Sequence, residues 1–254
     1  MQQERLVELL VDLHAGLVRL GPGSREATLK ALALCEYLPD NPSILDVGCG
    51  TGAQSLTLAT ATGGNIVATD LIQRFLDQLQ QAIMEKGLQD HIRVERADMN
   101  VLPYPDQSFD LIWSEGSIYI MGFDNGLTHW RPLLKTGGYL VVSEVSWFRD
   151  DPPHELKAFW DEHYPGMRSV EDNLDSARNL GWSCVANFPL PLKAWTREYH
   201  APLKKRIPLF RKRHRGEPEA EALADMTEQE ISLIEHYADF YGYEFYVLRR
   251  VDAV

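Results

Sequence analysis

Three closely spaced glycines directly follow a short apolar run near residue 45 of this 254-residue chain. Ile44, Leu45 and Val47 have the apolar, partly β-branched character of a buried strand, and the residues from Ala53 onward favour a helix. Glycines at a strand-to-helix bend permit a tight turn and let a ligand approach the backbone, while the first helical N–H groups favour negative charge. The pattern predicts an α/β fold with a nucleotide-type cofactor at the turn.

The spacing of the glycines leaves the identity of the cofactor open. Gly48-Cys49-Gly50-Thr51-Gly52-Ala53 satisfies the loose dinucleotide fingerprint, and Asp70 follows at the distance expected of a ribose-binding acid, so a nicotinamide cofactor is one interpretation. Asp46 favours another, because a carboxylate beside the first glycine would repel a pyrophosphate and suit a ligand that carries an ammonium. S-adenosylmethionine carries an ammonium and a sulfonium.

The glycine turn and four segments that follow it along the chain resemble the motifs of one family, in the order in which that family has them. Leu45 to Gly52 looks like the first motif of class I S-adenosylmethionine-dependent methyltransferases, Thr69-Asp70 like the ribose-binding acid, and Ala97-Asp98-Met99 like the adenine-contacting segment. Phe109 to Glu115 and Leu134 to Leu140 resemble the fourth and fifth strand motifs. The resemblance is closest to the small-molecule and ubiquinone-biosynthesis-like branch.

The resemblance implies a Rossmann-like class I methyltransferase fold, which is an α/β fold with a seven-stranded mixed sheet whose strand seven is antiparallel, plus N-terminal helices and cap insertions. It implies methyl transfer from S-adenosyl-L-methionine to a small-molecule acceptor, with S-adenosyl-L-homocysteine as the product. The residues that it assigns to the cofactor are Asp46, Gly48, Cys49, Gly50, Gly52, Asp70, Leu71, Asp98, Met99 and Glu115.

Each of the three aspartates has an expected role. Asp70 should accept both ribose hydroxyls, because a carboxylate has two oxygens. Asp98 should accept the adenine amino group, with Met99 against the ring, or else serve as a loop or helix cap. Asp46 should position the methionine amino end, or hold the amides of the glycine turn, and these two roles are compatible.

One domain, residues 1–254, is expected from the length and composition. Within it, residues 1–40 should form two helices that either cover the sheet or act as a lid, and residues 41–145 the cofactor-binding core. Residues 146–168 and 189–226 are predicted substrate-side insertions. We expect helices from about Glu4 to Val18 and from Ser24 to about Leu38. Pro189 and Pro191 should break regular structure, and an irregular segment should open at Trp195 and run to about Pro218. A last helix should start at a Thr227–Glu230 capping box and stop at Gly242.

The composition restricts partners and location. A formal net charge of −12 argues against attraction of the whole molecule to nucleic acid or an anionic membrane. No apolar run approaches the length of a membrane span, so a cytoplasmic location is expected, and a homodimer is left open. Three cysteines without metal-ligand spacing suggest reduced thiols and no metal site.

Candidates for chemistry are chosen by residue type and by their place near strand ends. Those considered as catalytic groups are Glu115, Tyr119, His163 and His200, and those considered as a substrate-pocket wall are Trp147, Trp160, Trp195 and Tyr199. The aromatic residues can equally be packing, although their concentration outside the core motifs favours a pocket.

Two alternative functions remain open at this stage. The basic segment 204–215 could contact RNA or protein in a nucleic-acid or protein methyltransferase, or it could be a solvated loop paired with acids such as Glu217, Glu219 and Glu221. The chain could also be a non-catalytic regulatory protein that binds adenosylmethionine. The acceptor atom cannot be read from the sequence.

Overall fold

A seven-stranded sheet forms the centre of the protein, for which a computed structural model describes residues 2–251 and the side chains from residue 4. The strands are β1 (Ser43–Val47), β2 (Asn65–Asp70), β3 (Ile92–Arg96), β4 (Phe109–Glu115), β5 (Leu134–Trp147), β6 (Trp182–Pro189) and β7 (Tyr241–Arg250). Their spatial order is β3-β2-β1-β4-β5-β7-β6, and β7 runs antiparallel to both of its neighbours. The predicted fold class is confirmed.

Ten helices are assigned in the described part of the chain. They are α1 (Gln2–His14), α2 (Arg25–Ala33), α3 (Ala53–Thr62), α4 (Gln73–Lys86), α5 (Phe123–Trp130), α6 (His154–His163), α7 (Val170–Asn179), α8 (Leu192–Trp195), α9 (Ala201–Arg213) and α10 (Pro218–Tyr237). One buried cluster joins one face of the sheet to α1, α3, α4, α9 and α10, and a second joins the other face to α5 and α7. Both faces are therefore covered, which explains the continuous apolar sequence of the central strands.

The register of the central strands positions the site. Leu45 of β1 pairs with Val67 of β2 and with Ile112 of β4, all in parallel. The carboxyl ends of these three strands therefore meet at one edge of the sheet, where ligands bind in open α/β folds.

The N-terminal helix is shorter than predicted, because α1 ends at His14 and not at Val18. The following carbonyls bind side chains of the core: Leu17 O accepts from Gln78 Nε2 at 2.9 Å, and Val18 O accepts from Thr51 Oγ1 at 2.6 Å. The expected cap of α2 is present, since Ser24 Oγ accepts from the backbone N–H three residues later at 3.1 Å. The connection between the two helices is thus held down on the sheet.

The prediction of an irregular segment from Trp195 to about Pro218 is wrong, because α8, a π-turn at Thr196–His200 and α9 form an almost continuous helical run. Prolines were misleading here. Pro202 lies in the first turn of α9 and Pro218 in the first turn of α10, where no N–H is needed for a helical hydrogen bond.

Both predicted ends of the last helix are also wrong. Thr227 lies in the interior of α10, where its hydroxyl donates to Leu223 O at 2.7 Å instead of capping a helix. Gly242 lies inside β7, and a Cβ there would meet the Phe148 ring at 2.9 Å. This glycine permits close packing and does not stop a helix.

No helix among the described residues is long and apolar enough to cross a membrane.

Candidate functional site

A cavity of about 410 Å³ opens at the carboxyl ends of β1, β2 and β4, below α1. It is formed by the glycine turn, the ends of β2 and β4, the loop after β3, α1, and the segment between α1 and α2. Residues of the predicted site that line it are Gly48, Cys49, Gly50, Asp70, Leu71, Asp98, Met99, Glu115 and Tyr119. Most of the residues assigned to the cofactor therefore meet at one place.

Two glycines of the turn leave their backbone open to this cavity. Gly48 has a φ of +69°, and a Cβ there would lie 2.4 Å from Ser117 Oγ. Gly50 has a φ of +55°, and a Cβ there would lie 2.8 Å from the Leu20 side chain. At each position the backbone is left-handed and a Cβ would clash, so only glycine fits. Without side chains, the backbone of the turn stays open to a ligand.

Gly52 has a different role from Gly48 and Gly50. It caps α3 with a φ of +80° and does not line the cavity. A Cβ at this position would lie 2.1 Å from Leu79 of α4, so this glycine allows the turn to close on a neighbouring helix.

Asp70 lies at the end of β2 and lines the cavity. Its Oδ2 accepts from Gly50 N and its Oδ1 from Ile72 N, each at 2.9 Å. Burial raises the pKa of this carboxyl, and the backbone hydrogen bonds oppose that effect. Because each oxygen has two acceptor positions, one on each remains for a pair of neighbouring hydroxyls such as those of ribose.

Asp46 is fully buried below the turn and does not line the cavity. It accepts from Ser55 Oγ at 2.5 Å and from Gln54 Nε2 at 3.3 Å, and the same amide nitrogen donates to Cys49 O at 3.2 Å. Asp46 thus reaches the glycine turn only through the Gln54 side chain, and the described turn amide of Gly50 is held by Asp70 instead. Burial raises the pKa of Asp46 to about 7.

Replacing Asp46 with asparagine should flatten the pH dependence of stability. Because the pKa of Asp46 is higher in the folded protein than in the unfolded chain, the folded protein binds more protons than the unfolded chain between about pH 4 and pH 7. Its stability therefore falls as the pH rises through that window. The wild type should therefore lose about 2 kcal/mol more than Asp46→Asn between about pH 5 and pH 7.5. Urea unfolding at both pH values measures the difference, and equal losses would contradict it.

Asp98 and Met99 lie in the loop after β3 and line the cavity. Asp98 is exposed, and its Oδ1 accepts from the backbone N–H of Asn100 at 2.9 Å and from its side chain at 2.7 Å. The backbone hydrogen bond, followed by the side-chain one, lowers the pKa of Asp98. Asp98 thus stabilises its own loop through one oxygen, and the other oxygen remains for a ligand at the cavity.

Glu115, at the end of β4, is held by three donors. Its Oε1 accepts from Thr28 Oγ1 at 2.6 Å and from Trp113 Nε1 at 3.0 Å, and its Oε2 pairs with Arg19 at 3.0 Å. The side chains of Arg19 and Glu115 are 9% and 3% exposed. These contacts fix the carboxylate in position, and Oε2 keeps an acceptor position for a cationic ligand group.

Among the wall residues that sequence reasoning missed are two with basic side chains, Arg19 and His14. His14 Nδ1 lies 2.8 Å from Leu10 O, which can only accept, so this nitrogen carries the proton. The other ring nitrogen, 3.0 Å from the Tyr199 hydroxyl, therefore accepts from it when the ring is neutral, and burial lowers the pKa of His14. His14 falls at helical spacing with the apolar residues of α1, and this position could have identified it from the sequence. Arg19 belongs to no sequence pattern.

The remaining predicted residues do not line the cavity. They are Trp147, Trp160, His163, Trp195, Tyr199 and His200. The structure gathers them in or beside an aromatic cluster with the start of β7: the ring of Tyr241 lies 5.3 Å from Trp160 and 5.8 Å from Trp195. They were expected to form a substrate-pocket wall, but the antiparallel β7 supplies tyrosines that pack against them. Tyr243 of β7 lies between this cluster and the cavity residue Gly116, whose Cβ would be 3.7 Å away.

Of the four candidate catalytic residues, only Glu115 and Tyr119 reach the cavity. Tyr119 is 43% exposed and lies at the mouth beside Ile120, which is 61% exposed.

The basic segment 204–215 lies mostly in α9 and not in a solvated loop. Arg211 pairs with Glu221, Asp225 and Glu228 of α10. Lys204 pairs with Glu235 and Arg213 with Asp12. Much of its charge is thus neutralised within the protein.

The lining fits an adenosyl cofactor. Asp70 suits a ribose, the glycine turn admits a ligand close to the backbone, and Arg19 with Glu115 offers both charges of an amino-acid group. The fold and the site therefore define an α/β protein that binds a nucleoside cofactor at the carboxyl end of its sheet.

Comparisons with known proteins identify the family. Residues 44–138 match the family described as "Methyltransferase domain". The demethylmenaquinone methyltransferase of Lactobacillus johnsonii is 40% identical over 105 residues, which cover 40% of this chain and 43% of that protein. A SAM-dependent methyltransferase from Geobacter sulfurreducens, solved with S-adenosyl-L-homocysteine, superposes with a TM-score of 0.80 at 18% identity over 95% of this chain and 97% of that one. Residues 44–138 therefore form a methyltransferase domain of the class I S-adenosylmethionine-dependent type, whose cofactor is S-adenosyl-L-methionine.

The presence of this domain does not fix the reaction. The match covers between 27% and 64% of the length of eight curated relatives. The 4+2 cyclase SpnF superposes with a TM-score of 0.76 at 22% identity, over 99% of this chain and 95% of that one. Identities this low show a shared fold only.

Proposed function

We propose that the protein transfers the methyl group of S-adenosyl-L-methionine to a small-molecule acceptor in the cavity below α1. The observation that carries this proposal is that one cavity of about 410 Å³ joins the cofactor-type lining to the apolar side chains of α1. Pockets of about 300–1000 Å³ suit small molecules. Val7, Leu10 and Val11 of α1 line it, which favours an acceptor with an apolar part.

When bound, the cofactor would supply a methyl group on a sulfonium: an acceptor nucleophile would bond to the methyl carbon in line as the C–S bond breaks, and S-adenosylhomocysteine would leave as a neutral thioether. The contribution of this chain is then mainly binding, alignment and exclusion of water. Asp70 binds the ribose hydroxyls, the loop of Asp98 and Met99 binds the adenine, and the turn around Gly48 and Gly50 admits the cofactor close to the backbone.

The N-terminal region acts as a lid over this reaction. In support, α1 lines the cavity, and the segment that follows it is tied to the core by the Val18 O and Leu17 O hydrogen bonds. α1 itself is packed through the buried Leu9 and Leu13 and accepts hydrogen bonds from Arg206, so the part that opens is the segment between α1 and α2. Closure excludes water from the sulfonium.

An acceptor that must lose a proton meets no unengaged base on His14 or Glu115. Both ring nitrogens of His14 are in use, since Nδ1 donates to Leu10 O and Nε2 accepts from Tyr199, which does not line the cavity. Glu115 is held by three donors. The site therefore suits an acceptor that arrives as a nucleophile and needs no base from the protein.

Methyl transfer can be tested with S-adenosylmethionine that carries a deuterated methyl group. The protein is incubated with small amines, phenols and apolar hydroxy compounds, and separately with RNA and with unfolded protein, and mass spectrometry follows labelled product and S-adenosylhomocysteine. Labelled small molecules are the expected result. Label in RNA or protein alone would overturn the small-molecule assignment, and would support the use of the basic segment 204–215.

A second candidate function is binding of the cofactor without methyl transfer, either in regulation or for another reaction. It is favoured by the fold shared with a protein described as a cyclase and by the three donors that already hold Glu115. Tight binding of S-adenosylmethionine with no S-adenosylhomocysteine formed over a broad acceptor panel would favour this candidate over the first.

A further inference from the structure

Arg19 is the only lysine or arginine among the described residues that line the cavity. It lies on the segment between α1 and α2, and its side chain is only 9% exposed. A nearly buried guanidinium is costly to desolvate, and such groups are retained where they have a partner. Arg19 forms an ion pair with Glu115.

The donors of Arg19 are only partly used. A guanidinium has five N–H donors, and in the described part of the chain one nitrogen, Nη1, has a partner, Glu115 Oε2 at 3.0 Å. On Glu115, Oε1 already takes two donors and Oε2 takes one, so Oε2 keeps an acceptor position. The cavity wall therefore carries a cation with unused donors next to a carboxylate with an unused acceptor.

The backbone of this segment runs over the glycine turn. Val18 O accepts from Thr51 Oγ1, and the Leu20 side chain packs where a Cβ of Gly50 would be. Arg19 lies between these two contacts. Its guanidinium thus reaches the cavity close to the turn, and on the side of Glu115 at the end of β4.

We propose that Arg19 binds the α-carboxylate of the methionine portion of the cofactor, while Glu115 accepts from its α-ammonium. An α-amino acid places both charges on one carbon, which matches a neighbouring guanidinium and carboxylate. Arginine suits a carboxylate in particular, because its planar donors form two parallel hydrogen bonds. This inference rests on the proposed cofactor site and extends it to a residue outside the methyltransferase-domain match.

Space for the pair is reserved by a glycine. A Cβ at Gly23 would lie 2.5 Å from Arg19 Nη1 and 3.0 Å from Glu115 Oε2. Because Arg19 belongs to the N-terminal segment, the cofactor's amino-acid group also fastens that segment over the cavity. A nucleoside that lacks this group leaves it less firmly held.

Calorimetric titration with S-adenosylhomocysteine and with 5′-methylthioadenosine, which lacks the amino-acid group, tests the proposal directly. Arg19→Gln should weaken S-adenosylhomocysteine binding by about 10- to 100-fold, or about 1.4–2.7 kcal/mol, and change methylthioadenosine binding by less than about twofold. Arg19→Lys should recover part of the loss. Arg74→Gln, which removes an arginine that is 57% exposed on α4, is the matched control and should change neither affinity.

Hydrogen exchange gives a readout that does not depend on the affinity of the variant. In the wild type, S-adenosylhomocysteine should protect the amides of residues 15–23 more than methylthioadenosine does at equal saturation, and Arg19→Gln should abolish this difference. If Arg19→Gln does not fold, Gly23→Ala displaces the guanidinium instead and should give the same selective loss.

Equal losses for both ligands in Arg19→Gln, or an unchanged affinity for S-adenosylhomocysteine, would overturn the proposal while the cofactor site stood. A wild type that binds neither ligand would instead refute the cofactor site itself, and the assignment of Arg19 with it.

Discussion

Asp70→Ala is expected to weaken the binding of S-adenosylmethionine by about 1.5–3 kcal/mol, which is about a 10- to 150-fold increase in Kd. The alanine removes both carboxylate oxygens, which have one acceptor position each left for the ribose hydroxyls beside their bonds to Gly50 and Ile72. Calorimetric titration measures the loss. Unchanged affinity would show that Asp70 is not the ribose ligand.

The same substitution also removes two hydrogen bonds that hold the turn, so a second variant is needed. Asp70→Asn keeps the size of the side chain and one acceptor oxygen, and should lose less affinity than alanine. Asp106→Asn removes an exposed acid that does not line the cavity, and should leave the affinity unchanged. An equal loss in Asp70→Asn and in the Asp106 control would point to net charge as the cause.

Gly52→Ala is expected to lower the free energy of unfolding by about 2–5 kcal/mol. A left-handed backbone costs a non-glycine residue about 1–2 kcal/mol, and overpacking a core adds about 1–3 kcal/mol. Gly52 has a φ of +80°, and its Cβ would lie 2.1 Å from the fully buried Leu79. Urea unfolding measures the change.

Gly87→Ala is the matched control for this prediction. Gly87 has a φ of +65°, but a Cβ there has no atom within 4 Å among those outside its immediate neighbours. It should therefore lose only the backbone contribution of about 1–2 kcal/mol. Equal losses for the two glycines would mean that α4 yields to the added methyl, and that Gly52 is needed for its conformation alone.

The parts of the fold that the sequence predicts well are those set by local patterns. Ile44, Leu45 and Val47 are apolar because β1 is buried on both faces, and the three glycines that follow show that the chain turns where a side chain would clash. Strands of a parallel sheet end at the same edge, so Asp70 and Glu115 could be placed near one another from the alternation of strands and helices.

The parts that local patterns do not predict depend on contacts between distant segments. The wall expected from Trp160 and Trp195 is instead an aromatic cluster, because β7 returns antiparallel and brings Tyr241 beneath them. Arg19 has no motif, and only the folded chain shows it 3.0 Å from Glu115, 96 positions further along. A single arginine or histidine in a sequence does not indicate which strand end it will reach.

Thermal unfolding with and without ligand tests most directly whether the cavity binds S-adenosylmethionine. At about 100 times its dissociation constant, a ligand that binds only the folded state adds about 2.7 kcal/mol of stability. S-adenosylmethionine or S-adenosylhomocysteine should raise Tm accordingly, and NAD at the same concentration should not. Stabilisation by NAD with none from S-adenosylmethionine would contradict the account.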